Sequence, residues 1–278
     1  MHELYSTSPR AELRPYVRAF AQRKISGAGG KEFVQPIPAG LEQTVEFEFG
    51  EHPIVEFGDG SFSPTYQVGA IGPSVYRPAN IHLRDGIESF AIFFQPLAFW
   101  QLFRVPLDKL ANHNYDCRDV VGVGILELRD RMAEMDSFFK RVQFVEEYLL
   151  KKIANPIGTT PIMNAAHYMF ERRGILRISD IADEVSLSLR QFERRFADEI
   201  GVRPKLFARI ARFQAVLDTK VDCSETAWLT LAHRFGYHDQ MHMIRDFHGL
   251  SGFSPERLLE RIGDMRPPAL AARGKKIR

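Results

Sequence analysis

Only two cysteines, Cys117 and Cys223, occur among 278 residues, and they stand far apart. That excludes a disulfide framework and a cysteine-built metal cage, and it makes a reducing cytoplasm the simplest expected compartment. Long apolar runs are missing too. No stretch approaches the roughly 18 uninterrupted apolar residues that a membrane helix needs. Met1–Arg10 is charged and polar, unlike a secretory signal. His52, His82 and His113 stand singly without a paired-ligand motif, and no nucleophile–base pair can be picked out. The expectation is therefore no catalytic residues, no metal and no cofactor.

Net charge is also small, at +2, but it conceals an asymmetry. Residues 1–155 carry 17 basic against 20 acidic residues, whereas residues 156–278 carry 20 against 15. A basic C-terminal half suits phosphate binding, although many basic helices are only solvated faces. The length and ordinary apolar content are consistent with two domains, each with its own core.

Residues 32–95 read as short strands, whose spacing suggests a small antiparallel barrel or sandwich. Alternating or apolar runs such as Thr44–Phe49 and Ser89–Phe94 sit between turn signals at Gly27–Gly30, Pro38–Gly40, Gly58–Gly60 and Asp85–Gly86. From Pro96 the period changes. Phe99, Leu102 and Phe103 fit one helical face, and Leu128, Met132, Met135, Phe139, Val142, Val145, Leu149 and Ile153 recur at steps of three and four. Asp136-Ser137 should split that stretch into two helices. Its apolar face exceeds the obvious need of a small barrel, which suggests that the N-terminal half mediates dimerisation, ligand sensing or both. Asn155–Pro161 reads as a linker, everything beyond it as helical, and residues 266–278 as a basic, disordered tail.

The C-terminal half contains a faint duplication. Ile181-Ala182, Phe192, Phe196 and Gly201-Val202-Arg203-Pro204 are repeated as Leu231-Ala232, Met243, Phe247 and Gly252-Phe253-Ser254-Pro255. From Phe192 to Pro204 the offset is 51 residues; between the alanines it is 50, so the second turn is one residue longer. Ile178, Ile181, Ala182 and Val185 form the inner stripe of a first helix, and the small Ala182 lets a second helix cross closely. A turn at Ser186–Ser188 follows, and Ser188 and Gln191 have capping-box spacing. Leu189, Phe192, Phe196 and Ile200 are expected to face the core. Gly201 should end the helix, and Pro204 should start a long connecting helix to about Leu217. In the second copy Gly236 takes the turn and Asp239 the cap; Ser186 stands where Gly236 does, so the first turn should either differ slightly in shape or carry some strain. Two helices joined by such a turn make a helix-turn-helix, whose second helix fits a major groove.

Ile178–Pro204, and above all LAHRFGYHDQMHMIRDFHGLSGFSP from Leu231 to Pro255, resemble the DNA-binding domain of the AraC/XylS family of bacterial regulators. The resemblance is specific over about Ile162–Leu259. Pro36–Gly40 and FFQPLAFWQLFRVPLDKL, Phe93–Leu110, more loosely resemble the β-rich sensor domains of one AraC-like subgroup. The implied fold is α+β: a β-rich, barrel-like N-terminal domain with a helical connector over 1–155, then an all-α tandem helix-turn-helix domain over 156–265. The implied function is one-component transcription regulation. The expected partners are double-stranded DNA, a small-molecule effector, RNA polymerase if the protein activates, and a second copy in a homodimer, with no membrane.

The resemblance places base reading on Arg190, Glu193 and Arg194 in the first unit, and on Gln240, Met241, Ile244 and Arg245 in the second. The arginines can grip guanine edges or phosphates, Gln240 can pair with adenine, and Glu193 can accept from cytosine. Met241 and Ile244 cannot hydrogen-bond but can pack on thymine methyls. Zinc at His233, His238, His242 and His248 is disfavoured, because their spacing fits no closed site. A helical module without DNA, an architectural DNA-bending protein, and an enzyme with an accessory DNA-binding domain are the competing readings. A DNA-repair methyl acceptor at Cys223 would need a cluster of cysteine ligands that two isolated cysteines cannot supply.

Overall fold

A computed structural model describes residues 2–27, 29–75, 79–153 and 158–262. The expected domain boundary at 155/156 and the tail over 266–278 lie outside them.

The N-terminal half is built on two antiparallel sheets. The larger contains β1 (His2–Thr7), β2 (Val17–Ile25), β4 (Gln43–Glu48), β6 (Val68–Ile71), β8 (Glu88–Phe94) and β9 (Asn114–Asp116), in the order β1-β2-β8-β4-β6-β9. The smaller pairs β3 (Phe33–Ile37), β7 (Ala79–Leu83) and β5 (Ile54–Phe57), in the order β3-β7-β5. The two sheets do not close into a barrel, and the strands begin well before residue 32. β1 escapes a sequence reading because it is largely polar, and its stability comes from a six-residue ladder with β2.

Period-two alternation explains how the large sheet faces its helices. Val45 and Phe47 of β4 lie opposite Ile92 and Phe90 of β8, and all four are buried. Phe20 of β2 stacks on Phe90 at 6.1 Å between ring centres. Over this face lie α1 (Ala98–Phe103), α4 (Gly124–Ala133) and α5 (Phe138–Ile153), with the short α2 (Leu107–Leu110) and α3 (Cys117–Val121) nearby. The break between α4 and α5 falls at Asp136-Ser137, as expected. The inward residue at the start of α5 is Phe138 rather than Phe139, which is 57% exposed. Phe138, Val142, Val145 and Leu149 are buried, and Arg141 donates to Gln22, Glu88 and the Met132 carbonyl. Most of the apolar stripe that suggested a dimer face is thus spent on the chain's own sheet.

Among the described residues the regular elements of the C-terminal half are all helices: α6 (Pro161–Glu171), α7 (Ile178–Glu184), α8 (Leu189–Ile200), α9 (Pro204–Asp222), α10 (Trp228–Arg234), α11 (Gln240–Ser251) and α12 (Pro255–Ile262). The 19-residue α9 connects two three-helix units. Two separate cores were expected; instead one buried apolar cluster runs from Leu13 through the large sheet and α5 into α6–α12. The two halves bury apolar surface against each other, so neither needs to complete a core alone.

Candidate nucleic-acid interface

Both units make their turn by the same hydrogen bonds. In the first, the Ser186 N–H donates to the Asp183 carbonyl and the Leu187 N–H to the Ala182 carbonyl, each at 2.9 Å. In the second, the Gly236 N–H donates to His233 at 3.1 Å and the Tyr237 N–H to Ala232 at 2.9 Å. This satisfies carbonyls that the ends of α7 and α10 would leave orphaned. The extra residue of the second unit falls after Tyr237, as the repeat offset implies.

The helices that follow are capped as their sequences predict. The Ser188 Oγ accepts the Gln191 N–H, and the Gln191 side chain accepts the Ser188 N–H at 3.1 Å, which completes a capping box. Asp239 accepts the His242 N–H at 2.6 Å. His238, the His242 N–H and Arg245 hold the Asp239 carboxyl below the usual carboxylate range. Gly201 and Gly252 end α8 and α11 with φ of 83° and 80°, values that favour glycine. Pro204 and Pro255 then open α9 and α12.

Phe192 and Phe196 of α8, and Met243 and Phe247 of α11, are fully buried. Phe196 meets Phe207 of α9 edge-on at 5.5 Å, and Phe247 meets Phe213 of α9 at 4.7 Å. Arg209 of α9 also donates to Asp246 of α11 at 2.7 Å. α9 therefore grips both helices through aromatic contacts six residues, about 1.7 turns, apart.

On the opposite face of α8, Arg190, Glu193 and Arg194 are exposed, and their side chains make no hydrogen bond or ion pair to another described residue. On α11, Met241 is 58% exposed, Arg245 is exposed, and Gln240 and Ile244 are half-buried. Leu189 was expected in the core and is 45% exposed. Its spacing from Phe192 and Phe196 fits the apolar stripe. At the first position of α8, however, no preceding helical turn covers it. It adds an apolar group beside Arg190 that the sequence reading missed. His233, His238, His242 and His248 are all exposed, and no group of three metal-binding side chains occurs among the described residues.

Where the halves meet lies a cleft of about 900 Å³. Arg14 and Arg18 line it from the N-terminal side, and His167, Arg173, Asp218 and Arg234 from the C-terminal side. Burial pushes the Asp218 carboxyl up to about 7 despite the Arg18 guanidinium at 2.5 Å, and Glu42 and Asp222 add to the rise. No helix among the described residues is long and apolar enough to cross a membrane.

Residues 181–261 match the family described as "Helix-turn-helix domain". Among solved structures, unsaturated fatty acid bound wild-type ToxT from Vibrio cholerae is similar at 11% identity and a TM-score of 0.50, over 93% of this chain and 94% of its own. An apo ToxT point variant from the same organism is similar at 10% identity and 0.50, over 95% and 97%. The AraC-like transcriptional activator CuxR aligns over 76% of this chain and 86% of its own, at 11% identity and a TM-score of 0.26. The ToxT likeness, at this identity, is one of fold. No curated protein matches the chain.

Proposed function

We propose that this chain, whose C-terminal half is an AraC-type tandem helix-turn-helix domain, is a transcription regulator that reads DNA with α8 and α11 in successive major grooves. The observation that carries the reading is the twofold occurrence of one device. Each unit has a tight turn, a capped second helix and an outer face whose exposed side chains suit a nucleic acid. Arg190, Glu193 and Arg194 supply hydrogen-bonding groups on α8; Gln240 and Arg245 supply them on α11, with Met241 and Ile244 as apolar contacts. Phosphates are held by arginines and by backbone N–H groups near the helix starts.

Control by the N-terminal half is part of the same proposal. One of the ToxT structures holds an unsaturated fatty acid. In this chain the cleft between the halves has the scale of a small-molecule site and is bordered by residues of both. A ligand there would touch the DNA-binding half directly. Binding-site selection on the full chain tests the reading. The expected outcome is a two-part motif whose affinity falls steeply with salt, as counterion release demands. Selection of no motif, or an affinity indifferent to salt, would refute it.

A further inference from the structure

The N-terminal domain holds the far end of each recognition helix. Gly201, which ends α8, lies against the backbone of α2; a Cβ placed there would stand 2.7 Å from the Asp108 Cα. α2 itself packs on α8. At the end of α11 the Leu250 carbonyl accepts the Ala39 N–H at 2.8 Å, and α12 packs on β3. Between these two points the middle of α9 is tied down. Arg18 of β2 pairs with Asp218 at 2.5 Å and with Glu42. The Gln214 side chain donates its Nε2 to Glu42 at 2.6 Å, and its Oε1 accepts the Leu41 N–H at 3.2 Å. Gln214 and Glu42 are buried.

The contacts at α8 and α11 both fall at C-terminal ends, away from the residues proposed to read DNA. A helix of 12 residues is about 18 Å long, so a tilt of about 10° at its base moves its tip by about 3 Å, roughly one base-pair step. α9 joins the two units at Phe207, Arg209 and Phe213, and Arg173 and Ile175 of the first unit meet Phe235 and Gly236 of the second; the contacts from the N-terminal domain add to these at the C-terminal ends of α8 and α11. We propose that the N-terminal domain, through Arg18, Ala39, Glu42 and the Leu107-Asp108 backbone, sets the separation at which the two recognition helices read DNA. Spacing specificity is then a property of the whole chain, and the sequence read within each subsite is a property of α8 and α11. This rests on the DNA-reading function proposed above.

The test is binding-site selection from a library in which the two subsites are separated by variable numbers of base pairs. It compares the full-length wild type with R18M/E42Q/D218N, which removes the charged tie together with both of its carboxylates and so strands no buried charge, and with Q214M, which leaves Arg18 paired. Circular dichroism and a thermal melt establish that each variant is folded. Wild type is expected to prefer one spacing by about tenfold over its neighbours, and a folded variant by about threefold or less, with the bases selected within each subsite unchanged. Folded variants that keep the single wild-type spacing would overturn the proposal. Loss of sequence preference within the subsites would overturn it too, by assigning the tie to base reading. A wild type that selects no subsites at all would instead refute the DNA-reading function.

Discussion

Ser186 and Gly236 occupy the same left-handed backbone position in the two units, with φ of 57° and 69°. Each is held by the same pair of turn hydrogen bonds, yet only one is a residue for which that conformation costs little. A side chain in this region costs about 1–2 kcal/mol, partly offset by the larger entropy that glycine loses on folding. Ser186→Gly is therefore expected to stabilise the protein by about 0.5–1 kcal/mol in urea titration. Gly236→Ala is expected to destabilise it by about 1 kcal/mol, from backbone strain alone, since the new Cβ would meet only Ile175 at 3.5 Å. Equal effects of the two substitutions would show that Ser186 is not strained.

The exposed faces of α8 and α11 differ in chemistry, and their contributions should differ accordingly. Arg194→Ala is expected to cost about 1–3 kcal/mol on the best site and to relax preference at one or two base pairs. Met241→Ala should cost less, chiefly at A·T pairs, because a thioether can only pack on a methyl group. Binding-site selection on both variants checks this. An unchanged motif with Arg194→Ala, beside loss of half the motif with Met241→Ala, would reverse the division.

Leu189 stands exposed at the first turn of α8, and a base edge is the apolar surface within its reach if α8 enters a groove. Replacing thymines one at a time by uracil deletes single methyl groups. One such replacement in the first subsite should weaken wild-type binding by about 1 kcal/mol, the worth of a buried methyl group. Leu189→Ala should bind thymine and uracil alike at that position. Equal sensitivity of wild type and variant would place Leu189 outside the interface.

Asp218 gives the interdomain contact a pH dependence of definite sign. Its folded value, about 7, lies above the ordinary aspartate value of 3.8. Between these limits the folded protein keeps a proton that the unfolded chain has lost. Its contribution is complete below about pH 4 and is lost as pH rises through about 7. Arg18, Glu42 and Asp222 act on the group directly, and His167, Glu171 and Arg173 share the cleft. Comparison of urea titrations from about pH 4 to about pH 8 for wild type and Asp218→Asn isolates this residue. The variant should lose less stability across the range; parallel curves would show that Asp218 does not titrate there.

The tandem units were legible because their signals are local. A capping box needs residues three apart, the turn bonds span five, and a glycine followed three residues on by proline punctuates the chain regardless of what packs on it. Ser188, Gln191, Asp239, Gly201 and Pro204 thus determined their own conformations. Other features depended on surfaces distant in sequence. β1 is a strand because β2 pairs with it. Leu189 obeys the core period but lies where no neighbour covers it, and Phe138 takes the inward place that periodicity gave to Phe139. The joining of two expected cores into one, and the grip of the N-terminal domain on α8, α9 and α11, arise from contacts such as Arg18–Asp218 and Ala39–Leu250, about 200 residues apart in the chain. Hydrogen-bond rings of a few residues are written into the sequence order. Which apolar and charged surfaces meet across the chain is decided only when burial and charge pairing are satisfied together in three dimensions.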